Sequence, residues 1–250
     1  MTEFVDDEGD QGGDELDDMH VEADQTYAGS FDELRTGFTA AVSHELRTPL
    51  ARILALLDSA DLPDADVQGL IDQARAEVEN AGALIDEILF LSELESGREV
   101  VSLGHTSALP VLASVLDDLT DAAERAGVTL AIEGDPSIDV PLRPRMLRMI
   151  AQNLAMNSIR YAGHGARFTF SIHRAGAFAV LTAADDGEGV PEGTLPRLFE
   201  RFYRADSART SRGTGLGLAI VKHVVVAAGG DVEAEGGPGR GLRIRATFPA

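Results

Sequence analysis

The 250-residue chain has no cysteine and no tryptophan, and aromatic residues make up only 5% of it. Without cysteine there are no disulfides, no thiolate nucleophiles and no Cys-ligated zinc or iron–sulfur sites, which fits a reducing compartment. With so few aromatics, the core has to be mostly aliphatic. No apolar run approaches the roughly 20 residues of a membrane span, and the N-terminus lacks the basic-then-apolar order of a signal peptide. Bases are scarce as well: 21 Lys and Arg stand against 42 Asp and Glu, a formal charge of −21. This balance opposes nucleic acid or anionic lipid as the main partner. These absences together predict a soluble, cytoplasmic chain with no membrane span.

The acidic excess is lopsided, with eleven acids and no base in positions 1–24. Residues 1–29 have no apolar period, so their burial could not offset their ordering entropy, and a disordered tail is predicted there. From Phe31 onward, Leu34, Phe38, Ala41, Val42, Leu46, Leu50, Ile53, Leu54 and Leu57 follow the three- and four-residue spacing of an amphipathic helix. Asp61, Pro63 and Asp64 break it. A second stripe runs from Val67 through Leu70, Ile71, Ala74, Val78, Leu84, Ile85, Ile88 and Leu91 to a stop at Gly97. Residues 30–97 therefore read as a helical hairpin. A single hairpin cannot shield both stripes, so two chains are expected to pair into a four-helix bundle.

From 98 to 250 the pattern becomes a mixed α/β rhythm in one domain. Helices are predicted at about 107–126, 142–162 and 216–228, and strands at 128–132, 167–173, 178–184 and 242–248. A long polar loop with five arginines precedes the last helix, and loops of that length are usually functional or disordered. Gly236–Gly241 reads as a hairpin connection.

Five segments carry candidate chemistry. In SHELRTPL, Ser43–Leu50, His44 lies one position off the apolar stripe, so its imidazole faces solvent as either a plain surface residue or a nucleophile. Glu45 is placed to accept a proton from one ring nitrogen and leave the other free to attack. Arg47 and Thr48 follow with a cation and a hydroxyl suited to a phosphate or a water, and Pro49 should bend the helix. In NLAMNSIRY, Asn153 and Asn157 stand at i, i+4 on one helix face, and an amide oxygen suits Mg²⁺. Two surface amides is the plain alternative. DDGEG, Asp185–Gly189, follows a strand-like run; its glycines permit close backbone approach, and the Asp185 carboxylate can accept from an exocyclic amine. A simple turn explains that string as well. FERFYR, Phe199–Arg204, offers aromatics and cations inside the long loop. GTGLGL, Gly213–Leu218, opens the last helix with glycines whose N–H groups can face a polyphosphate. Neither the P-loop nor the dinucleotide-binding spacing is met.

SHELRTPL resembles the phosphoacceptor motif of sensor histidine kinases, and the four later segments, in order, resemble the Bergerat-type ATP-binding half of that family. The resemblance covers about residues 31–250. It implies an α+β protein: a two-helix hairpin forming a dimeric four-helix bundle, followed by an α/β sandwich that binds ATP and Mg²⁺. It further implies that His44 is the phosphoacceptor, Glu45 its general base, and Thr48 the residue that positions water for dephosphorylating a response regulator. Asn157 would hold Mg²⁺, supported by Asn153, while Arg160 and Tyr161 would meet the phosphates. Asp185 would read the adenine amine, with Gly187 and Gly189 around it, and Arg204 would meet the γ-phosphate. Gly213, Gly215 and Gly217 would form the hinge and cradle. Arg197, Arg201, Arg209 and Arg212 read as phosphate contacts or as a solvated basic loop.

The family usually carries a sensory region before the phosphoacceptor helix, whereas an acidic stretch of about 30 residues stands here. Input is therefore expected through an upstream sensor or kinase partner, unless the chain is part of a longer product. A gyrase-like ATPase or serine kinase is a rival reading, opposed by the exposed histidine on a dimeric hairpin. A nucleotide-responsive module that modulates another kinase is a second. A metal hydrolase is opposed by the scattered spacing of His20, His105, His164, His173 and His223.

Overall fold

The computed structural model describes residues 42–63, 65–95, 104–205 and 213–249. The predicted tail, the apolar positions Leu34, Phe38 and Ala41, the stop at Gly97, and Arg209 and Arg212 lie outside the described residues. The chain divides into two compact units, Met1–Thr48 and Pro49–Ala250.

Helix α1 runs through residues 42–60 and continues past Pro49. A short turn at 61–63 separates it from α2, Val67–Glu95. Asp66 caps α2, its carboxylate accepting the Gly69 N–H at 3.1 Å, which satisfies one of the orphan donors of the first turn. Arg52 on α1 faces the buried Glu77 on α2 at 3.6 Å.

The remainder is a five-stranded mixed sheet with helices packed on it. After a two-residue strand β1, Thr106–Ser107, come α3, Ala108–Asp118, and α4, Thr120–Ala126. The single helix expected over 107–126 is thus two. Asp117 and Asp118 place negative charge at the negative end of α3, and Leu119 breaks the helix at φ −99°, ψ 0°. Strands β2, Thr129–Gly134, and β3, Asp139–Val140, lead to α5, Pro144–Tyr161, which starts with proline at its first position. Then follow β4, Arg167–Ala175, β5, Phe178–Asp185, α6, Gly217–Ala227, β6, Asp231–Gly236, and β7, Leu242–Pro249.

The order across the sheet is β2-β4-β5-β7-β6, with β2 parallel to β4 and the other neighbours antiparallel. Alternation sets the faces. On β7, Leu242, Ile244, Ala246 and Phe248 point inward while Arg243 and Arg245 point out. On β4, Phe168, Phe170 and Ile172 are buried in the same way, with the two rings edge to face at 4.8 Å. Helices α3 and α6 pack on α5, and all three touch the sheet, closing the core with Leu112, Met146, Leu147, Ile150, Val221 and Val224. The expected strands are present. Strand β6 was not expected, because its sequence DVEAEG buries only Val232 on an edge and otherwise reads as polar.

Candidate functional site

On α1, the His44 side chain is 76% exposed, as the helical register requires. Its Nδ1 lies 3.6 Å from the Glu45 carboxylate, close enough to orient the ring electrostatically but beyond a hydrogen bond. Nε2 is thereby the ring nitrogen turned away from the acid. The Thr48 hydroxyl donates to the His44 carbonyl at 3.3 Å, one turn back along the helix.

A cavity of about 290 Å³ opens beside α5, walled by residues from widely separated segments. Asn153, Asn157, Arg160 and Tyr161 reach it from α5, and Asp185 and Gly189 from the end of β5. Arg204 borders it from the long loop, and Gly213, Gly215 and Gly217 from the approach to α6. Ten of the residues singled out in the sequence therefore meet in one place. Asn153 also donates to the Met149 carbonyl at 3.0 Å, which holds its amide on that face of the helix.

The Asp185 carboxylate is held from three directions. One oxygen accepts the Gly187 N–H at 3.1 Å and the Leu242 N–H at 3.2 Å; the other accepts the Ser158 hydroxyl at 2.7 Å. Gly187 does not border the cavity, and its part is this hydrogen bond. Behind it, the turn between β6 and β7 backs the DDGEG loop. Gly241 donates to the Gly187 carbonyl, Gly239 donates to the Glu188 carbonyl, and Arg240 pairs with Glu192. Gly241 stands at φ +68°, with the Asp185 carbonyl where a side chain would begin, so only glycine fits. The Gly236–Gly241 stretch, read from sequence as a connection, is also the floor of the loop.

The described first part of the long loop contains a regular turn. Residues Glu192–Arg197 form a 3-10 turn, and the Arg197 guanidinium stacks over the Tyr203 ring at 4.2 Å while pairing with Glu200 at 3.0 Å. Arg197 is thus engaged within the loop. Phe202 adopts a positive φ of 60° and donates its N–H to the Gly215 carbonyl at 3.0 Å, tying FERFYR to the glycine segment. A side chain at Gly215 would meet the Phe202 backbone at 2.8 Å.

Two polar residues at the site, Glu87 and Ser158, were not among those singled out in sequence. Glu87, on α2, borders the cavity and accepts the Thr214 hydroxyl at 2.6 Å. Burial pushes its carboxyl above the usual range, against the Thr214 hydrogen bond and the positive charge of Arg160, which both pull it down. Nothing distinguishes it in sequence from its acidic neighbours on that helix. Ser158 did leave a signal: it is a polar residue on the buried stripe of α5 formed by Ile150, Ala151, Leu154, Ala155 and Ile159.

Chemically, the cavity pairs a fixed carboxylate at one wall with amides, guanidinium groups and three glycines elsewhere. Such a set suits a base bearing an amine and a polyphosphate. Among the described residues, no group of three or more His, Asp or Glu is placed to hold a metal. The donor set nevertheless fits a hard cation such as Mg²⁺, whose other ligands would be phosphate oxygens and waters, with one amide from Asn157.

Comparison with known proteins finds two family matches. Residues 34–97 match the His Kinase A (phospho-acceptor) domain, and residues 143–250 match the histidine kinase-, DNA gyrase B- and HSP90-like ATPase family. The sensor-like histidine kinase SenX3 of Mycobacterium tuberculosis is 30% identical over 233 residues, covering 91% of this chain. The chain spans 57% of the length of that relative. Among solved structures, the Acinetobacter baumannii histidine kinase AdeS superposes with a TM-score of 0.68 at 24% identity, over 82% of this chain and 97% of AdeS. The histidine kinase ThkA, in complex with the response regulator protein TrrA, gives 0.66 at 18% identity, over 85% of this chain and 60% of ThkA. These two likenesses establish the fold. No helix among the described residues is long and apolar enough to cross a membrane.

Proposed function

Because the chain belongs to the sensor histidine kinases of two-component systems, we propose that it transfers the γ-phosphoryl group of Mg-ATP to His44 and then to an aspartate of a response regulator. The observation that carries this reading is the convergence of four sequence-distant segments on one cavity, in a chain whose α1 presents an exposed histidine beside an acid. The division of labour is residues 30–97 for dimerisation and phosphotransfer and 98–250 for ATP binding. Asp185 accepts the adenine amine. Asn157, with Asn153 beside it, would hold Mg²⁺, which would offset phosphate charge when bound. Arg160, Tyr161 and Arg204 engage the phosphates, with Arg204 at the γ position, and Gly213, Gly215 and Gly217 lend backbone N–H groups.

In the first step Nε2 of His44 attacks the γ-phosphorus and the bond to the ADP oxygen breaks. Glu45 orients the ring through Nδ1 and stabilises the positive charge that develops on the imidazole. In the second step the phosphorus–nitrogen bond breaks, and the group passes to a carboxylate of the acceptor protein. Thr48, freed from its back-bond to the His44 carbonyl, positions a water when the same surface dephosphorylates that acceptor. The exposed apolar side chains of the hairpin support a homodimer through it, and the reaction runs in the cytoplasm. Incubation with Mg²⁺ and γ-labelled ATP should label the protein but not a His44→Gln variant, and adding a response regulator should move the label. ATP binding without label in the wild-type protein would favour a nucleotide-responsive modulator of another kinase instead.

A further inference from the structure

Among the described residues, only three polar side chains are classed with the core: Glu77, Thr106 and Ser158. Thr106 donates to the Leu142 carbonyl and secures a chain crossing, and Glu77 faces Arg52 in the hairpin. Ser158 differs from both, since its hydroxyl donates to a carboxylate that borders the nucleotide cavity.

A carboxylate offers about four acceptor positions on its two oxygens. In Asp185, Oδ1 already receives two backbone N–H groups, from Gly187 and Leu242, and Oδ2 receives one donor, Ser158. The acceptor capacity that remains is therefore on Oδ2, and Ser158 fixes how that oxygen is presented. We infer that Ser158 is a positioning residue that sets the cavity's selectivity for the substituent at the purine 6-position. The inference rests on the proposed adenine-nucleotide reading and assigns it one more residue.

The physical basis is the asymmetry between a donor and an acceptor meeting a fixed acceptor. An exocyclic amine gives Oδ2 a hydrogen bond. A carbonyl oxygen at the same place meets a carboxylate that cannot turn a donor toward it, and a site built to bond an N–H rejects the analogue lacking it strongly. Without the Ser158 hydroxyl, Asp185 keeps only the two bonds to Oδ1. Its second oxygen then hydrates, and a water there can donate to a carbonyl as readily as accept from an amine. Adenine loses an aligned partner, the 6-oxo purine gains a tolerable one, and the distinction narrows.

Inosine triphosphate carries a 6-carbonyl in place of the 6-amine of ATP, with the N1–H that this carbonyl brings, so binding of the two by calorimetry to the full chain, with Mg²⁺ present, reads the inference without requiring turnover. Wild-type protein should favour ATP. Ser158→Ala should weaken ATP binding roughly tenfold while changing inosine triphosphate by no more than about twofold, shrinking the ratio accordingly. Ser158→Cys keeps nearly the same volume with a much weaker donor and should narrow the ratio in the same direction. Should the alanine variant unfold, the cysteine variant decides. Equal weakening of both nucleotides, or an unchanged ratio in both variants, would assign Ser158 a packing role and overturn the inference while leaving the adenine-nucleotide reading in place. A wild-type protein that binds neither nucleotide, or does not prefer ATP, would overturn both.

Discussion

The hairpin and the sheet domain spend their apolar residues in opposite ways. In the sheet domain the large side chains are enclosed within one chain: Phe168 is 1% exposed, and Phe170 and Phe248 are 0%. On the hairpin, Leu54 is 62% exposed, Leu57 53% and Val78 57%, although they sit on the same kind of periodic stripe. A stripe of that size left in water on both helices is costly, at about 25 cal/mol for each Å². The sheet domain therefore encloses its core within one chain, whereas the stripes of the hairpin stand open among the described residues, and under the proposed homodimer a second copy would cover them. Stability of the first should be independent of protein concentration, and that of the second should depend on it.

The contrast can be broken first at the sheet. Phe170→Ala removes a fully buried ring from β4 and should cost about 3–5 kcal/mol, read as an earlier urea midpoint for the sheet domain. The state of association set by the hairpin should survive it at concentrations where the domain still folds. Asp185→Asn keeps the shape of the loop but turns an acceptor into a partial donor at the adenine wall. ATP binding should fall by about 1.5–3 kcal/mol, measured by calorimetry, with little change in the dimer. Leu54→Asp puts a charge into the expected bundle seam and should shift sedimentation toward monomer, weakening pairing at least about tenfold, while ATP affinity stays near wild type.

A smaller effect tests where the two regions touch, since Glu87 reaches from α2 to Thr214 at the entrance to α6. Its carboxyl is raised in the folded protein, chiefly by burial, so the charged form is the disfavoured one there. Its contribution to stability is fully present below the ordinary value of 4.5 and is lost as pH rises through the raised folded value. Relative to Glu87→Gln, the wild-type protein should therefore gain stability as pH falls from neutrality toward that ordinary value. A difference between the two proteins that stays flat across this range would remove the burial account. At the bottom of the scale, Arg245→Ala loses a 3.9 Å pair with Glu233 on the outer face of the sheet and should change stability by no more than about 0.5 kcal/mol.

Much of this architecture was legible because periodicity records which face is buried. The stripe on α5, the alternation on β4 and β7, and the break at Asp61–Asp64 all report local geometry. The site residues were legible for a related reason: amides at i, i+4, a carboxylate followed by glycines, and glycines before a helix are local patterns with a chemical use. What escaped depends on partners distant in sequence. The Leu242 N–H reaches Asp185 across 57 positions and the Thr214 hydroxyl reaches Glu87 across 127, and neither residue looks unusual in its own neighbourhood. Strand β6 escaped because an edge strand needs only one apolar side chain, and Leu119 because a helix broken by terminal acids still keeps helical spacing on both sides. Ser158 lies between these cases, since its place on an apolar stripe was visible and its partner was not.

The central claim is that the cavity and the exposed histidine of α1 serve one reaction. The most direct test is to incubate the full chain with Mg-ATP, digest it under alkaline conditions, and locate the transferred phosphoryl group by mass spectrometry. The account predicts a phosphoryl group on the peptide that contains His44, stable in base, lost in acid, and strongly reduced at limiting ATP when Asp185→Asn weakens nucleotide binding. A group found on a serine, threonine or tyrosine, stable in acid, or one that persists in His44→Gln, would contradict it.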